Sequence, residues 1–330
     1  MKAIRIHQHG GPEVLQFVEL PLPALPPDCV LVRNQAVGVN YVDIQHRQGG
    51  YYPVQLPLIP GIEAAGVIEQ VGASVTAFKI GDRVAYAGYM GGNYAQFTPV
   101  PQDQLVPLPD TVDSVTAAAG LLQAMTAHCL THDTYLVRPG DTVLVHAAAG
   151  GVGSLLVQFA KRSGAVVIAT ISTPVKAEFV RSLGADHTIL YRDEDFAART
   201  NSITNGEGVH VVYDAIGRAT FDQSLASLRR RGYMVVYGQT SGAVPPFDIN
   251  RLSGITDSST RGAIFLTWAA LSHYNTTPLE LRARAATVLQ SITDRHITIH
   301  IGQQLPLEQA AQAHRLMEQR ETIGKIVLVP

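Results

Sequence analysis

Cysteine is scarce in this chain: Cys29 and Cys129 are the only two in 330 residues. Two thiols build no disulfide framework, and they fit a reducing, cytoplasmic setting. Charge is sparse as well, with 16% charged against 46% hydrophobic residues, which excludes a disordered chain and predicts a globular one. A formal net charge of −2 gives no electrostatic case for nucleic acid or an anionic membrane. The densest basic run, Arg229-Arg230-Arg231 before Gly232, reads as a solvated helix C-terminus. No apolar leader core is seen in MKAIRIHQHGG, which reads as a strand, and the most apolar long stretch, 143–160, is broken by His146, Ser154, Gln158 and glycines. That stretch reads as a buried strand and helix, not a membrane span.

What is there is concentrated in TVLVHAAAGGVG, residues 142–153. A β-branched apolar run that breaks into small residues and glycines is how a parallel strand hands a dinucleotide to a helix. The spacing Ala147, Gly150, Gly153 is a variant of the Rossmann fingerprint, in which small residues allow a tight turn, approach to a pyrophosphate and close helix packing. The helix that follows, SLLVQFAKRSG, points unclaimed N–H groups at the phosphates. Pro139-Gly140-Asp141 marks a turn before the strand, Gly164 ends the helix, and AVVIATIS (165–172) supplies the next buried strand.

A second absence then becomes informative. Dinucleotide sites that use NAD place an Asp or Glu about twenty residues past the glycines, on the ribose 2′-hydroxyl. This chain has Ile171, Ser172 and Thr173 there, followed by Pro174 as a helix start and Lys176 one turn in. A lysine without a neighbouring carboxylate suits a 2′-phosphate, so the cofactor expected is NADPH.

The texture of the chain changes twice. Up to about residue 124 it is rich in proline and glycine, with short strands such as CVLVRNQAVGV, AAGVIEQVG and DRVAYAG. Asp113 or Ser114 then caps a helix through Ala117 to Thr131. From about 125 to 267 strands and helices alternate, the pattern of a doubly wound parallel sheet. Two helical segments and a closing strand, GKIVLVP, follow. The domains expected are therefore 1–124 with 268–330, and 125–267, packed over a cleft.

Taken jointly, HGGPEVL (9–15), VGVNYVDIQHRQG (37–49), LPLIPGIEAAGVIEQVG (56–72), GDRVAY (81–86), HAAAGGVG (146–153), LGAD (183–186), VVYDAIGR (211–218), RRRGYMVVYGQTSG (229–242) and IGKIVLVP (323–330) cover nearly the whole chain. In these motifs it resembles the zinc-independent medium-chain dehydrogenases/reductases, specifically the ζ-crystallin-like NADPH:quinone oxidoreductases. The resemblance implies an α/β fold, a Rossmann domain plus a β-rich GroES-like catalytic domain. Zinc-dependent relatives carry a Cys ligand within the segment matching 37–43 and a His between the residues matching Gly61 and Glu63. Asn40 and Ile62 stand there instead, so no zinc is expected. His128 and His132, at i and i+4 beside Cys129, lack a fourth donor and are not read as a metal site.

The resemblance also distributes roles. Asn40 lies near the nicotinamide ribose, Tyr52 lines the place where cofactor and substrate meet and hydrogen-bonds a quinone oxygen or donates a proton, and Asp43 serves folding. Thr126 reaches the cofactor; Gly150, Gly151, Val152 and Gly153 hold the pyrophosphate; Lys176 and Tyr191 flank the 2′-phosphate and adenine. Arg218 and the turn Tyr237-Gly238-Gln239-Thr240 are cofactor contacts at the ends of later strands, and Phe265, Leu266 and Thr267 bring backbone groups to the nicotinamide amide. Close relatives often read Thr-Arg-Pro where this chain has Thr267-Trp268-Ala269, so the only tryptophan alters that wall of the cleft. The strand near 262–267 is an edge strand implied to pair across a two-fold axis, which makes a homodimer the expected assembly.

The activity implied is reduction of a quinone by NADPH without metal. A quinone accepts hydride to give a resonance-stabilised hydroquinone anion, so the protein mainly supplies proximity and orientation. The alternative on the same scaffold is reduction of an enone or enoyl thioester, which needs a placed proton donor. A structural, crystallin-like or RNA-binding role ranks below both, since no basic aromatic face is evident.

Overall fold

The structure is a computed structural model that describes residues 1–50, 52–255 and 259–330. The chain opens with β1 (Lys2–Arg5), β2 (Gln16–Glu19), β3 (Cys29–Gly38), α1 (Tyr41–Gln48), β4 (Glu63–Val71), β5 (Arg83–Ala87), β6 (Phe97–Pro101), β7 (Val106–Pro107) and α2 (Ser114–Cys129). Strand and helix then alternate through β8 (Thr142–Val145), α3 (Gly151–Arg162), β9 (Val166–Ile171), α4 (Pro174–Ser182), β10 (His187–Leu190), α5 (Phe196–Ile203), β11 (Val209–Asp214), α6 (Phe221–Ser227) and β12 (Leu228–Val236), and β13 (Phe265–Trp268) completes the sheet. The last elements are α7 (Pro278–Thr293), β14 (Ile301–Pro306), α8 (Ala310–Glu318) and β15 (Lys325–Val329).

Two compact units result, Met1–Met125 with Asn275–Pro330, and Thr126–Tyr274. The boundary falls inside α2, whose N-terminus is capped by Asp113: its carboxylate accepts the Thr116 N–H at 2.8 Å. Ser114 donates to Gln35 instead.

In the first unit, β14, β15, β3, β4, β5 and β7 lie side by side, with β6 also on β3. The pairs are antiparallel apart from β14 with β15. Proline and glycine cut this half into short strands, and alternate residues such as Val30, Val32, Ile68, Tyr86, Ile326 and Leu328 enter one core. Asn40 is the N-cap of α1, its N–H bonded to the Asp43 carboxylate at 2.8 Å.

In the second unit all strands are parallel, in the order β10-β9-β8-β11-β12-β13. The strands are near-continuous apolar runs because helical crossovers cover the sheet, and Leu144, Ile168, Ile189, Val212, Met234 and Val236 form its core. Sequence order reverses between β8 and β11, the doubly wound Rossmann arrangement with its topological switch point. One expectation is corrected here: Arg229, Arg230 and Arg231 do not end a helix. Helix α6 stops at Ser227, and the arginines belong to β12, where pairing jumps from Leu228 opposite Val209 to Tyr233 opposite Val211. Burial of Leu228 and Met234 pins the strand, and the polar residues between them bulge outward, with Arg231 at φ 61°.

Candidate active site

The turn after β8 is built by its small residues. Ala147 takes a left-handed φ of 48°, and its carbonyl accepts the Gly150 N–H at 2.9 Å. A Cβ on Gly153 would lie 2.3 Å from that same oxygen, so only glycine lets α3 start so close to the turn. Gly150 is the N-cap of α3 and supplies no side-chain acceptor, which leaves the first-turn N–H groups of Gly151, Val152 and Gly153 to an external anion. The turn sits beside the switch point, where α/β sheets bind ligands at the carboxyl ends of their strands.

Other expected cofactor residues gather at the same carboxyl edge. Tyr191 follows β10 and donates its N–H to the Ile171 carbonyl at 3.2 Å, at the end of β9. Thr173 caps α4 by accepting the Lys176 N–H, which sets half-buried Lys176 in the first turn as the sequence predicts. Beyond β11, Arg218 is exposed and bonds through Nε to the Ala243 carbonyl at 3.2 Å. Tyr237 N–H reaches Asp214 O at 2.9 Å and Thr240 N–H reaches Ala215 O at 3.0 Å, while Gly238 packs on Ala215. Gln239 is 3% exposed, yet its Nε2 has no partner among the described residues: a buried donor without an acceptor, at the strand ends where a nucleotide would lie. Thr267 is paired with Val235 and Leu266 with Met234 on β13, and Phe265 stacks on Tyr233 at 4.5 Å. The open helix terminus, the glycine cradle and the orphaned Gln239 amide fit a dinucleotide.

His146, which the sequence reading left without a role, lies under this turn, as does Asp214. The imidazole bonds Thr170 Oγ1 at 2.8 Å and Ser224 Oγ at 2.9 Å. Burial holds it neutral, lowering its pKa from the ordinary histidine value against the opposing charge of Asp214. A signal existed: a polar ring between an apolar strand and an alanine run is rare in a core without partners.

Asn40 and Tyr52 belong to the first unit, and Thr126 is the opening residue of the second. Asn40 is embedded in a buried polar cluster. Its Oδ1 accepts from Gln123 Nε2 at 2.6 Å and Lys325 Nζ at 2.8 Å, and its Nδ2 donates to Gly38 O and Glu63 Oε2, both at 3.2 Å. Lys325 Nζ is also 2.8 Å from Glu63 Oε2, and Leu122 N–H donates to Glu63 Oε1 at 2.7 Å. The amide of Asn40 thus has all its hydrogen-bonding positions filled by protein. Glu63, Gln123 and Lys325 were missed in the sequence. Their signals are a lone acid in Gly-Ile-Glu-Ala-Ala and a lone base in a strand that is otherwise apolar.

Asp43 is fully buried, and desolvation raises its pKa to about 7. Tyr94 Oη is 2.9 Å from Asp43 Oδ2 and 3.0 Å from His314 Nε2, and His314 Nδ1 lies 3.3 Å from Arg47 Nη1. Buried Arg47 pairs with Glu318. Burial, with the Arg47 charge beside it, pushes His314 down to about 3. Tyr52 meets the ring of His46 edge-on at 5.9 Å. His128 and His132 stack on each other at 4.2 Å, and among the described residues no group of three or more His, Cys, Asp or Glu is placed to hold a metal ion.

A GroES-like unit and a Rossmann unit with an open phosphate cradle define a dinucleotide-dependent oxidoreductase. Residues 26–110 match the alcohol dehydrogenase GroES-like domain, and residues 151–277 the zinc-binding dehydrogenase domain. The chain is 41% identical over 330 residues to a quinone oxidoreductase of Pseudomonas aeruginosa, covering 100% of this chain and 99% of that one. It is 40% identical over 330 residues to a 2-haloacrylate reductase of a Burkholderia species, covering 98% of each. Among solved structures, Escherichia coli quinone oxidoreductase complexed with NADPH superposes with a TM-score of 0.94 at 39% identity, and a mycobacterial protein complexed with NADPH with 0.94 at 42%, each over 100% of both chains. The chain belongs to the ζ-crystallin-like quinone oxidoreductase family of the medium-chain dehydrogenases/reductases.

Proposed function

We propose that this chain is an NADPH-dependent quinone reductase that works without a metal ion. The observation that carries the cofactor choice is the end of β9. Thr173 and Lys176 stand there with the Tyr191 backbone closing on Ile171, and Ile171, Ser172 and Thr173 include no carboxylate to repel a 2′-phosphate. When bound, NADPH supplies a hydride from its nicotinamide.

The chain's own residues bind and orient. Gly150, Gly151, Val152 and Gly153 hold the pyrophosphate on the N-terminus of α3, and Lys176 and Tyr191 take the phosphorylated ribose and adenine. Thr126, Arg218, Tyr237, Gly238, Gln239, Thr240, Phe265, Leu266 and Thr267 complete the cofactor contacts in this reading. The Tyr52 phenol hydrogen-bonds the acceptor oxygen, and Asn40, its amide saturated by Lys325 and its neighbours, gives the cofactor a fixed wall. A quinone needs no Lewis acid, which accords with Asn40 and Ile62 at the two positions where zinc-dependent relatives carry ligands.

A second reading has support in the 2-haloacrylate reductase relative: reduction of an electron-poor C=C bond, with Tyr52 as proton donor to carbon. Steady-state NADPH oxidation against a benzoquinone, an enone, a 2-haloacrylate and an enoyl thioester separates the two. Quinone turnover with the highest kcat/KM supports the first reading, and preference for the haloacrylate replaces it. Stoichiometric zinc found by elemental analysis, lost with activity on chelation, refutes the metal-free reading.

The assembly proposed is a homodimer joined through β13. That strand is the edge of the parallel sheet and leaves Phe265 47% and Trp268 44% exposed, an aggregation hazard unless covered. Among the described residues no helix is long and apolar enough to cross a membrane. A cytoplasmic location is the reading that goes with two cysteines that form no disulfide.

A further inference from the structure

His146 is 1% exposed and immediately follows β8, one residue before the left-handed Ala147. Its side-chain partners come from three other elements, β9, α5 and α6. On one side Nδ1 meets Thr170 Oγ1 at 2.8 Å, on β9, whose carbonyl also accepts the Ala148 N–H at 3.3 Å. On the other, Nε2 meets Ser224 Oγ of α6 at 2.9 Å, and Ser224 donates onward to Asp214 Oδ2 at 3.3 Å. Asp214 ends β11 and gathers the next turn: it accepts from Ile216 N at 2.6 Å, Gly217 N at 3.0 Å and Thr220 Oγ1 at 2.7 Å. Phe196 of α5 lies edge-on to the imidazole at 4.8 Å.

The network selects one tautomer. Because the Ser224 proton is committed to Asp214, Nε2 carries the imidazole proton and donates to Ser224, and Nδ1 accepts from Thr170. A lysine or a hydrocarbon cannot make this donor–acceptor bridge. The bridge fixes the glycine turn, the strand leading to Thr173 and Lys176, and the Gly217 turn relative to one another. Those three segments border the place where a dinucleotide lies in this fold.

We propose that His146 is a positioning residue for the cofactor: its bridge from Thr170 to Ser224 and Asp214 pre-organises the pyrophosphate turn, and this inference rests on the dinucleotide reading above. Pre-organisation of a loop acts on affinity, because the free protein then loses less freedom on binding. The effect belongs to the pyrophosphate, so it does not discriminate NADPH from NADH, and it does not reach a ligand that lacks the pyrophosphate bridge.

The test replaces the bridge by apolar groups of similar shape, H146L with T170V and S224A, which removes the donors and acceptors together and limits the stability cost. Titration calorimetry with NADPH, NADH and 2′-AMP, melting curves without nucleotide, and steady-state kinetics are measured for wild type and variant. Expected are Kd values for NADPH and NADH raised tenfold or more, KM for NADPH raised in parallel with kcat within threefold, and 2′-AMP affinity within twofold of wild type. Dinucleotide affinity closer to wild type in the single variant H146Q, which keeps a donor toward Ser224, than in the single variant H146L also supports the proposal. Unchanged dinucleotide affinity in the triple variant overturns it, as does equal weakening of 2′-AMP. If the triple variant does not fold, the single variant H146L decides alone: wild-type dinucleotide Kd with a lowered melting temperature assigns His146 to stability only. Wild-type protein that binds neither dinucleotide fails the underlying reading instead.

Discussion

Removing the Lys325 ammonium by Lys325→Met strands the Glu63 carboxylate in the core of the first unit. The two side chains are 5% and 0% exposed and meet at 2.8 Å, and the Asn40 amide oxygen is the other acceptor of the ammonium. Glu63 keeps the N–H of Leu122 and the amides of Asn40 and Gln123, but these are dipoles where a cation stood. Loss of one partner of a buried pair costs about 3–5 kcal/mol, since the remaining charge is neither hydrated nor neutralised. Glu63→Gln leaves the ammonium stranded and is expected to cost a similar amount. For a unit of about 180 residues, at about 2.1 cal/mol/K per residue, this lowers the melting temperature by about 8–13 °C. The double variant removes both charges and is expected to return to within about 1–2 kcal/mol of wild type, because desolvation of the ions is avoided along with their attraction. Denaturant and thermal melts of all four proteins close the cycle. If the two single losses simply add in the double variant, with a coupling below about 0.5 kcal/mol, the ion pair is not what holds this cluster and the reasoning is wrong.

Three further outcomes are expected. Asp43 and His314 act on stability in opposite senses. Asp43, with its folded pKa raised from 3.8 to about 7, contributes stability that is full below the unfolded value and lost as pH rises through about 7. His314, lowered from 6.5 to about 3, contributes stability that is full above 6.5 and lost as pH falls toward 3. At about 1.4 kcal/mol per pKa unit each is worth roughly 4 kcal/mol, and between about pH 4 and 6.5 they offset. Asp43→Asn should therefore make denaturation free energy rise with pH across this window and His314→Gln should make it fall, whereas parallel slopes in the two variants would remove the account. Lys176→Glu should weaken NADPH by roughly tenfold to a hundredfold, from about 1.5–3 kcal/mol of charge-assisted contact, while sparing NADH, and the loss should shrink with salt; equal effects on both cofactors by titration would return Lys176 to the surface. Light scattering at micromolar concentration should report a dimer, and a charge placed at Phe265 should shift it toward monomer; a wild-type monomer would discard the β13 interface.

The glycine turn after β8 was legible in the sequence because its physics is local. Ala147, Gly150 and Gly153 are fixed by what a strand-to-helix turn allows, and Thr173 with Pro174 by what a helix start requires, so each is read from a few neighbouring residues. The β-rich first half was equally plain from its proline and glycine punctuation, and the edge position of β13 followed from family resemblance. The arginine run was misread because charge before a glycine fits a helix end, whereas the outcome was set by Leu228 and Met234 seeking the core on either side of it. The buried polar clusters were decided by tertiary structure alone. Asn40, Glu63, Gln123 and Lys325 are brought together from four separate segments, and His146, Thr170, Asp214 and Ser224 from four others. No local propensity encodes such a meeting. A polar side chain in an apolar strand announces only that it needs a partner, and the sheet order that supplies the partner exists once the chain has folded.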